Sequence, residues 1–528
     1  MGEYWLNSPT HDKPNDMFDA ISGAHVYGKN IVQAEGFTEV RGVWDEHPAM
    51  IKPLLDRNFA IGMNRLFFHV NTHNPWLDRK PGMTLDGIGL FFQRDQIWMP
   101  ESKAFVDYIT RCQTLLQKGR PVADIAVYTG DEMPSRSVLP ERLVSMLPGL
   151  FGEKRVKSEA ARMADVGQPM EESPVGVRHS AGIADPKDWI NPLNGYQYDS
   201  FNPDVLLNSA SVKNNNIVLP NGATYRVLVV PQDKMVSDEA RRKIDNLRRN
   251  GVAVIDSPFA AGTLAQYGVE RDVMLPEGIA YTHRTANDME IYFIANQKEE
   301  ARSFRASFRV GGMTPVVYLP VTDEYLKADA KAAGTRTEVN ITLPACGSAF
   351  VLFYKGNIPD DIQKQAEEDR HLLAKNEPLK IKEWNITFRE NNVQVVSDVL
   401  FDWSKSDNDK IKFFSGHASY TTTFKHKGKP KGKALLTLGE VNNIAHVWIN
   451  GVDCGIVWTA PCEIDITRAL KKGKNTLRID VVNTWANALR GADNGKAPYD
   501  GIWTNAKYRM KGDELLPAGL IGPIGLKK

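Results

Sequence analysis

The sequence predicts a multidomain protein in which α/β units come first and β-rich units follow. Strand-like apolar runs alternate with helical ones up to about residue 275, which is typical of parallel sheets flanked by helices. Beyond that point the strand-like runs alternate strictly and are separated by Gly and Asn turns, which indicates antiparallel β structure. The 528 residues leave room for about three or four domains.

The charge balance and the cysteine count exclude several classes of protein. Lys+Arg number 65 and Asp+Glu 64, so the chain has no net field to attract nucleic acid or an anionic membrane. No apolar run approaches the length of a membrane span, and residues 1–7 lack the pattern of a signal peptide. The four cysteines are too few for a disulfide framework or a zinc site, and Cys454 and Cys462 either pair or remain buried thiols.

Residues 1–122 are predicted to form the C-terminal part of a (β/α)8 barrel. Strand-like runs at Ile31–Thr38 and Arg65–Val70 are each followed by a loop and then by a helical pattern, at 49–58 and at 102–118. A complete eightfold barrel takes ~250 residues, and about half of that length is present. The chain is therefore expected to begin inside the barrel.

Residues 123–275 are predicted to form a second α/β unit. A strand at 225–231, a helix at 237–250 and a strand at 252–256 make up a βαβ unit. The layout resembles the amidotransferase-like domain that follows the barrel in several glycosidase families. It has no cysteine nucleophile at a strand–helix elbow and no glycine-rich phosphate loop, which favours a scaffold role.

The remainder is predicted to contain two β domains joined by a helical linker. Residues 276–356 fit a small β-sandwich, 357–377 the linker, and 378–528 a jelly-roll sandwich. Asn450-Gly451 between two apolar alternations is a strong hairpin signal. The last domain resembles the galactose-binding-like jelly roll of family 2 glycosidases, a resemblance that implies the fold and only weakly a sugar site.

Glu35 is the leading candidate for a catalytic residue. It lies near the end of a strand-like run, and the carboxyl ends of barrel strands carry the catalytic groups of such barrels. Glu3 brings a second carboxylate beside two aromatic residues. The simpler alternative for each glutamate is a salt bridge at a strand end.

Polar and aromatic side chains that suit sugar recognition occur in the loops of the same region. Sugars offer hydroxyl groups to hydrogen-bond and C–H faces to stack on aromatic rings. The residues predicted to bind substrate are His69, His73, Asn74, Trp76, Trp44, Arg94 and Trp98. Trp44 and Trp98 either stack on sugar rings or fill the barrel rim, and the alternative for Arg94 is an ion pair with Asp95 or Glu101. No set of metal ligands is indicated by spacing.

Six short runs in this region together resemble glycoside hydrolase family 106, the α-L-rhamnosidases. They are Gly2–Trp5, Ala34–Thr38, His47-Pro48, Gly62–His69, Thr72–Pro75 and Arg94–Trp98. The resemblance implies inverting hydrolysis of terminal α-L-rhamnosyl linkages in oligo- or polysaccharides, with Glu35 as general base. It implies that Glu3 supports the water, the sugar or a metal. It further implies calcium at the active site, a general acid on an earlier strand, and export to the periplasm or beyond.

Two classes of function remain open from the sequence. The first is the C-terminal portion of an inverting α-L-rhamnosidase, and the second is a non-catalytic carbohydrate-binding or scaffold protein that is a degenerate relative. A β-galactosidase with a similar trailing domain is a more distant third. Because no residue precedes Glu3 far enough to be the general acid, the chain alone is predicted to be inactive.

Overall fold

The computed structural model describes residues 1–7, 14–165, 193–256, 264–368, 376–428 and 432–527. The predicted order, α/β first and β-rich afterwards, is confirmed. The N-terminal elements are β1 (Gly2–Asn7), α1 (Pro14–Val26), β2 (Gln33–Glu39), α2 (Pro48–Ile61), β3 (Arg65–Phe68), β4 (Lys80–Gly82) and α3 (Lys103–Leu116). Strands β1, β2 and β3 pair in parallel in that order.

One face of this parallel sheet is apolar and packs on the helices. Tyr4, Leu6 and Ala34 are at most 1% exposed. They alternate along β1 and β2 with less buried residues, as expected when every second side chain faces the core. Strand β2 begins two residues later than the predicted run, so Glu35 lies in its first half and not near its end. The helical patterns correspond to α2 and α3.

The second α/β region is built on a four-stranded parallel sheet in the order β12-β11-β6-β7. The predicted βαβ unit is present as β11, α6 and β12. The elements of this region are β5 (Arg120–Pro121), β6 (Ile125–Tyr128), α4 (Pro140–Met146), α5 (Pro148–Asp165), β7 (Tyr198–Phe201), β8 (Ser211–Lys213), β9 (Asn216–Val218), β10 (Thr224–Tyr225), β11 (Val227–Val229), α6 (Asp238–Arg249) and β12 (Ala253–Ile255). Strands β8 to β10 form a small antiparallel sheet of their own.

Two antiparallel sheets follow and pack on each other as a sandwich. Their elements are β13 (Val273–Met274), β14 (Ile279–Thr285), β15 (Met289–Asn296), β16 (Arg302–Phe308), β17 (Thr314–Leu319), β18 (Glu324–Lys327), β19 (Asp329–Ala333), β20 (Arg336–Leu343) and β21 (Ser348–Tyr354). The orders are β13-β16-β20-β19 and β18-β17-β21-β15-β14-β5. Helix α7 (Asp360–Glu368) lies in the predicted linker, of which 369–375 fall outside the described residues.

The C-terminal region is again β-rich. Its elements are β22 (Asn376–Pro378), β23 (Trp384–Phe388), β24 (Val393–Ser397), α8 (Asp409–Lys412), β25 (His417–His426), β26 (Leu435–Thr437), β27 (Glu440–Asn442), β28 (Ile444–Ile449), β29 (Val452–Val457), β30 (Glu463–Asp465), β31 (Gly473–Val482), α9 (Ala486–Asp493), β32 (Ile502–Thr504), β33 (Gly519–Gly522) and β34 (Gly525–Lys527). Its main sheets run β22-β34-β26-β30 and β24-β23-β25-β31-β28-β29. The predicted hairpin joins β28 to β29, with φ of +54° at Asn450 and +80° at Gly451, as a tight turn with two left-handed residues requires.

A continuous apolar core links the N-terminal sheet to both β-rich regions. Phe59 of α2 meets Phe293 of β15 edge-on, with ring centroids 6.0 Å apart. Phe105 of α3 meets Trp458, which follows β29, at 5.2 Å. The described cysteines are free thiols, Cys454 and Cys462 among them. Among the described residues, no helix is both long and apolar enough to cross a membrane.

A buried ionic network lies between the second α/β region and the sandwich. The ring nitrogens of His283 lie 2.9 Å from carboxylate oxygens of Asp272 and Glu290, and Arg309 pairs with Asp272 and with Asp124. Burial alone would lower the pKa of His283, but Asp272 and Glu290 outweigh it and raise that pKa to about 9. A cavity of about 460 Å³ lies against this network, and neither Glu3 nor Glu35 lines it.

This network predicts a loss of stability in alkaline solution. Because the pKa of His283 is higher in the folded chain, its stabilisation is complete below about pH 6.5 and is lost as pH rises through about 9. The shift corresponds to a contribution on the order of 3 kcal/mol. We expect His283→Gln to lower the melting temperature at pH 7 and to flatten its fall between pH 7 and 10, measured by calorimetry. The exposed His73, changed to Gln, serves as the control, and an unchanged pH profile in His283→Gln would contradict the assignment.

Candidate active site

Glu3 and Glu35 lie side by side on neighbouring parallel strands. The register of β1 and β2 places Glu3 opposite Glu35, and that of β2 and β3 places Glu35 opposite Phe67. Neighbouring strands are about 4.8 Å apart, and residues in register point to the same face. The two carboxylates and Phe67 therefore share the face that is turned away from the helices. Phe67 is 49% exposed there, while both glutamates are half-buried.

A bulge in β2 follows Gly36, the residue after Glu35. Tyr4 pairs with Gly36, but Trp5 pairs with Thr38, so Phe37 is an extra residue, and its φ is +67°. The bulge allows the hydroxyl of Thr38 to donate back to Oε1 of Glu35 at 3.1 Å. A Cβ atom at Gly36 would lie 2.4 Å from Leu66, so only glycine fits beside β3. Bulges of this kind commonly direct side chains next to active sites.

The loop after β3 carries four of the predicted substrate-binding residues. His69 directly follows β3, and its backbone N–H donates to the carbonyl of Gly36, the residue after Glu35, at 3.2 Å. His73 is exposed and Trp76 is half-buried. Asn74 is buried and its amide donates to Asp95 at 2.8 Å, so it holds the loop in place and is not open to a ligand.

The other three residues predicted to bind substrate, Arg94, Trp44 and Trp98, contact other parts of the protein instead. Arg94 forms an ion pair with Asp95 at 2.5 Å, the alternative to substrate binding given for it above. It also donates to the backbone carbonyl of Trp76 at 2.7 Å. Trp44 and Trp98 are both fully buried. The ring of Trp44 packs on Phe91 at 4.1 Å, and Nε1 of Trp98 donates to the backbone carbonyl of Glu46 at 2.9 Å. Neither indole has a free face for a sugar, because both fill the interior.

Three acidic residues that sequence reasoning missed lie buried just beyond Glu35. They are Glu39, Asp45 and Glu46. Burial first, and then the neighbouring carboxyls, raise the pKa of Asp45 and of Glu46 well above the usual range. Burial lowers the pKa of His47, in the same loop, to about 4, so its imidazole is neutral at pH 7. No sequence pattern marks the loop as buried, because it reads as polar and turn-like.

The same acidic residues supply oxygen donors of the kind that calcium binds. Carboxylate oxygens are what Ca²⁺ prefers, and Glu39, Asp45 and Glu46 supply them. Within the described ranges, however, no three His, Cys, Asp or Glu side chains are placed to hold a metal ion. Calcium at the active site remains an expectation from the resemblance.

Two families of known sequences match this chain. The profile of the glycoside hydrolase family 106 α-L-rhamnosidases matches residues 1–156, 183–265 and 256–329, which is more than half of the chain. The galactose-binding domain-like profile of glycosyl hydrolase family 2 matches residues 392–511. The first match includes Glu3 and Glu35.

Two individual proteins resemble the chain over nearly all of its length. The solved structure of a rhamnosidase from Novosphingobium sp. PP1Y superposes with a TM-score of 0.79 at 28% identity, covering 100% of this chain and 50% of that one. A putative beta-glucuronidase of Formosa agariphila is 24% identical over 99% of this chain and 65% of its own length. The chain thus spans half of the solved rhamnosidase and less than two thirds of the second relative.

Proposed function

This chain belongs to glycoside hydrolase family 106, the α-L-rhamnosidases. We propose that it supplies the general base of an enzyme that hydrolyses terminal α-L-rhamnosyl linkages with inversion. The observation that supports this most is the pairing of Glu3 with Glu35 on one face of a parallel sheet. Among the described residues, neither carboxylate takes part in an ion pair, which favours a functional role over a structural salt bridge.

In this proposal Glu35 is the general base. It takes a proton from a water molecule as that oxygen attacks the anomeric carbon, while a carboxylic acid protonates the departing glycosidic oxygen. The hydrogen bond from Thr38 orients the Glu35 carboxylate, which leaves Oε2 to face the water. Glu3, in register on the next strand, holds the water or a sugar hydroxyl.

Glu3 is a poor choice for the acid of an inverting enzyme. The acid and base of such enzymes stand ~6.5–9.5 Å apart to leave room for water, whereas retaining pairs stand only ~5–5.5 Å apart. Residues in register on adjacent strands fall nearer the second range. We therefore propose that the acid, with the other strands of a (β/α)8 barrel, comes from polypeptide beyond these residues, since the chain spans 50% of the solved rhamnosidase.

The stereochemistry of the product tests this assignment. We expect proton NMR of the reaction with an aryl α-L-rhamnoside to show β-L-rhamnose as the first product, because water enters opposite the leaving group. The assay is run on the enzyme with its barrel complete, and the 528-residue chain alone should show no turnover. If α-L-rhamnose appears first, Glu3 and Glu35 are themselves the acid and nucleophile pair, and the inverting assignment is wrong.

A second candidate is a carbohydrate-binding role without catalysis, which the galactose-binding-like domain at 392–511 favours. The two candidates differ in the same experiment. A complete-barrel protein that binds α-L-rhamnosides without releasing rhamnose would support the second and overturn the first.

A further inference from the structure

The C-terminal domain reaches back to the loop that follows β3. Strand β32 pairs in parallel with β4, and the N–H of Lys80 donates to the carbonyl of Gly501 at 2.8 Å. Gly501 has a φ of +80°, and a Cβ there would lie 2.5 Å from the carbonyl oxygen of Asp78, so glycine permits this close approach. At the other end of this contact between the two segments, the side-chain amide of Asn505 forms hydrogen bonds of 2.6 to 3.1 Å with Thr84.

This docking joins two tryptophans that are 427 positions apart in the chain, Trp76 and Trp503. Their ring centroids are 5.3 Å apart and their planes cross at 83°, which forms an aromatic corner. The guanidinium of Arg79 lies 4.9 Å from the ring centroid of Trp76 and 5.9 Å from that of Trp503. Trp503 is 36% exposed and the neighbouring Leu77 is 77% exposed, so the corner is open to solvent.

We propose that Trp503, with Trp76 and Arg79, forms a subsite for the second pyranose ring of the substrate, the one on the leaving-group side of the scissile bond. The proposal rests on the function proposed above. The loop that carries Trp76 begins at His69, whose backbone N–H is hydrogen-bonded to the carbonyl of Gly36, the residue after Glu35, so a single loop connects the corner to the strand of Glu35.

The chemistry of the corner fits a sugar ring. The partly exposed indole of Trp503 offers a face for the C–H groups of a pyranose. The guanidinium of Arg79, which lies over Trp76 and 3.6 Å from Asp78, offers its remaining donors to the hydroxyls. The exposed imidazole of His73 lies in the same loop and adds another polar group. A free monosaccharide would occupy only the position beside Glu35, so the corner should contribute to affinity only for longer ligands.

The test is binding to the 528-residue chain, measured by titration calorimetry with L-rhamnose and with a trisaccharide that ends in an α-L-rhamnosyl residue. We expect Trp503→Ala to weaken trisaccharide binding by about tenfold, a difference of ~1.4 kcal/mol, and to leave L-rhamnose binding unchanged. Trp503→Phe, which keeps a stacking face, should restore most of the loss and also shows that the segment still folds.

The matched control is Trp448→Ala in the same domain, where Arg478 lies 4.4 Å above the ring. We expect it to bind both ligands as the unmodified chain does. Equal trisaccharide affinity in Trp503→Ala and the unmodified chain, or no preference of the unmodified chain for the trisaccharide, overturns the subsite. Hydrolysis is measured separately, on the enzyme with a complete barrel. If that enzyme binds through Trp503 but releases no rhamnose, the subsite stands and the proposed function is wrong.

Discussion

Replacing Glu35 with glutamine is expected to lower kcat for an aryl α-L-rhamnoside by about 10²- to 10⁴-fold in the enzyme with a complete barrel. A glutamine is nearly isosteric and still accepts the hydrogen bond from Thr38, so the strand and its bulge should persist. It cannot take a proton from water. The loss should therefore fall on kcat, with little change in KM, as steady-state kinetics would show.

Two further variants serve as comparisons for Glu35→Gln. Glu3→Gln should reduce kcat less, because in our assignment Glu3 holds water or sugar and does not carry the proton. Glu153→Gln, on the exposed surface of α5, should leave both kinetic constants unchanged. Retention of more than about a tenth of the activity by Glu35→Gln would exclude Glu35 as the base.

The largest effect on stability is expected from Lys52→Met. Lys52 and Asp56 are one turn apart on α2, both fully buried, with their charged atoms 2.6 Å apart. Nζ of Lys52 also donates to the carbonyl of Cys346 at 2.8 Å and to Ser348 at 3.0 Å, and Tyr108 donates to Asp56. Removal of the ammonium leaves a buried carboxylate without its cation, which costs about 3–5 kcal/mol.

Denaturant unfolding of Lys52→Met measures this cost. Burial raises the pKa of Asp56 even with Lys52 present, so the variant should recover stability as the pH falls and Asp56 becomes protonated. The control is Lys103→Met, which breaks another i,i+4 pair on α3, Lys103 with Asp107 at 2.5 Å, whose lysine is 76% exposed. That change should have little effect, because solvent screens exposed pairs. Equal losses in the two variants would show that burial of the Lys52 pair contributes nothing.

The local parts of the molecule were predictable from local patterns. The βαβ unit and the Asn450-Gly451 hairpin lie where apolar spacing and turn residues place them. The resemblance to the α-L-rhamnosidases depends on short runs such as Gly2–Trp5 and Ala34–Thr38, which can be read without knowing the fold. These signals are short-range, because φ preference and side-chain alternation act within a few residues.

The arrangement of the candidate site was decided by tertiary structure. No pattern within the sequence states that Glu3 and Glu35 are in register, since that depends on how two strands about thirty residues apart align. Burial of Trp44 and Trp98 depends on which loops close over them, so the sequence left stacking and packing equally open.

The amino-acid sequence by itself indicated the family and the order of α/β and β-rich regions, and both are confirmed. It also pointed to Glu35 as the general base, which stays a prediction. Only the tertiary structure placed Glu3 beside that glutamate, and it alone brought Trp503 to Trp76. The physical reason is that strand register and the docking of distant segments are set by the packing of whole faces against one another. The hydrophobic periodicity of one stretch of sequence indicates the type of that helix or strand, but not which distant segment it packs against.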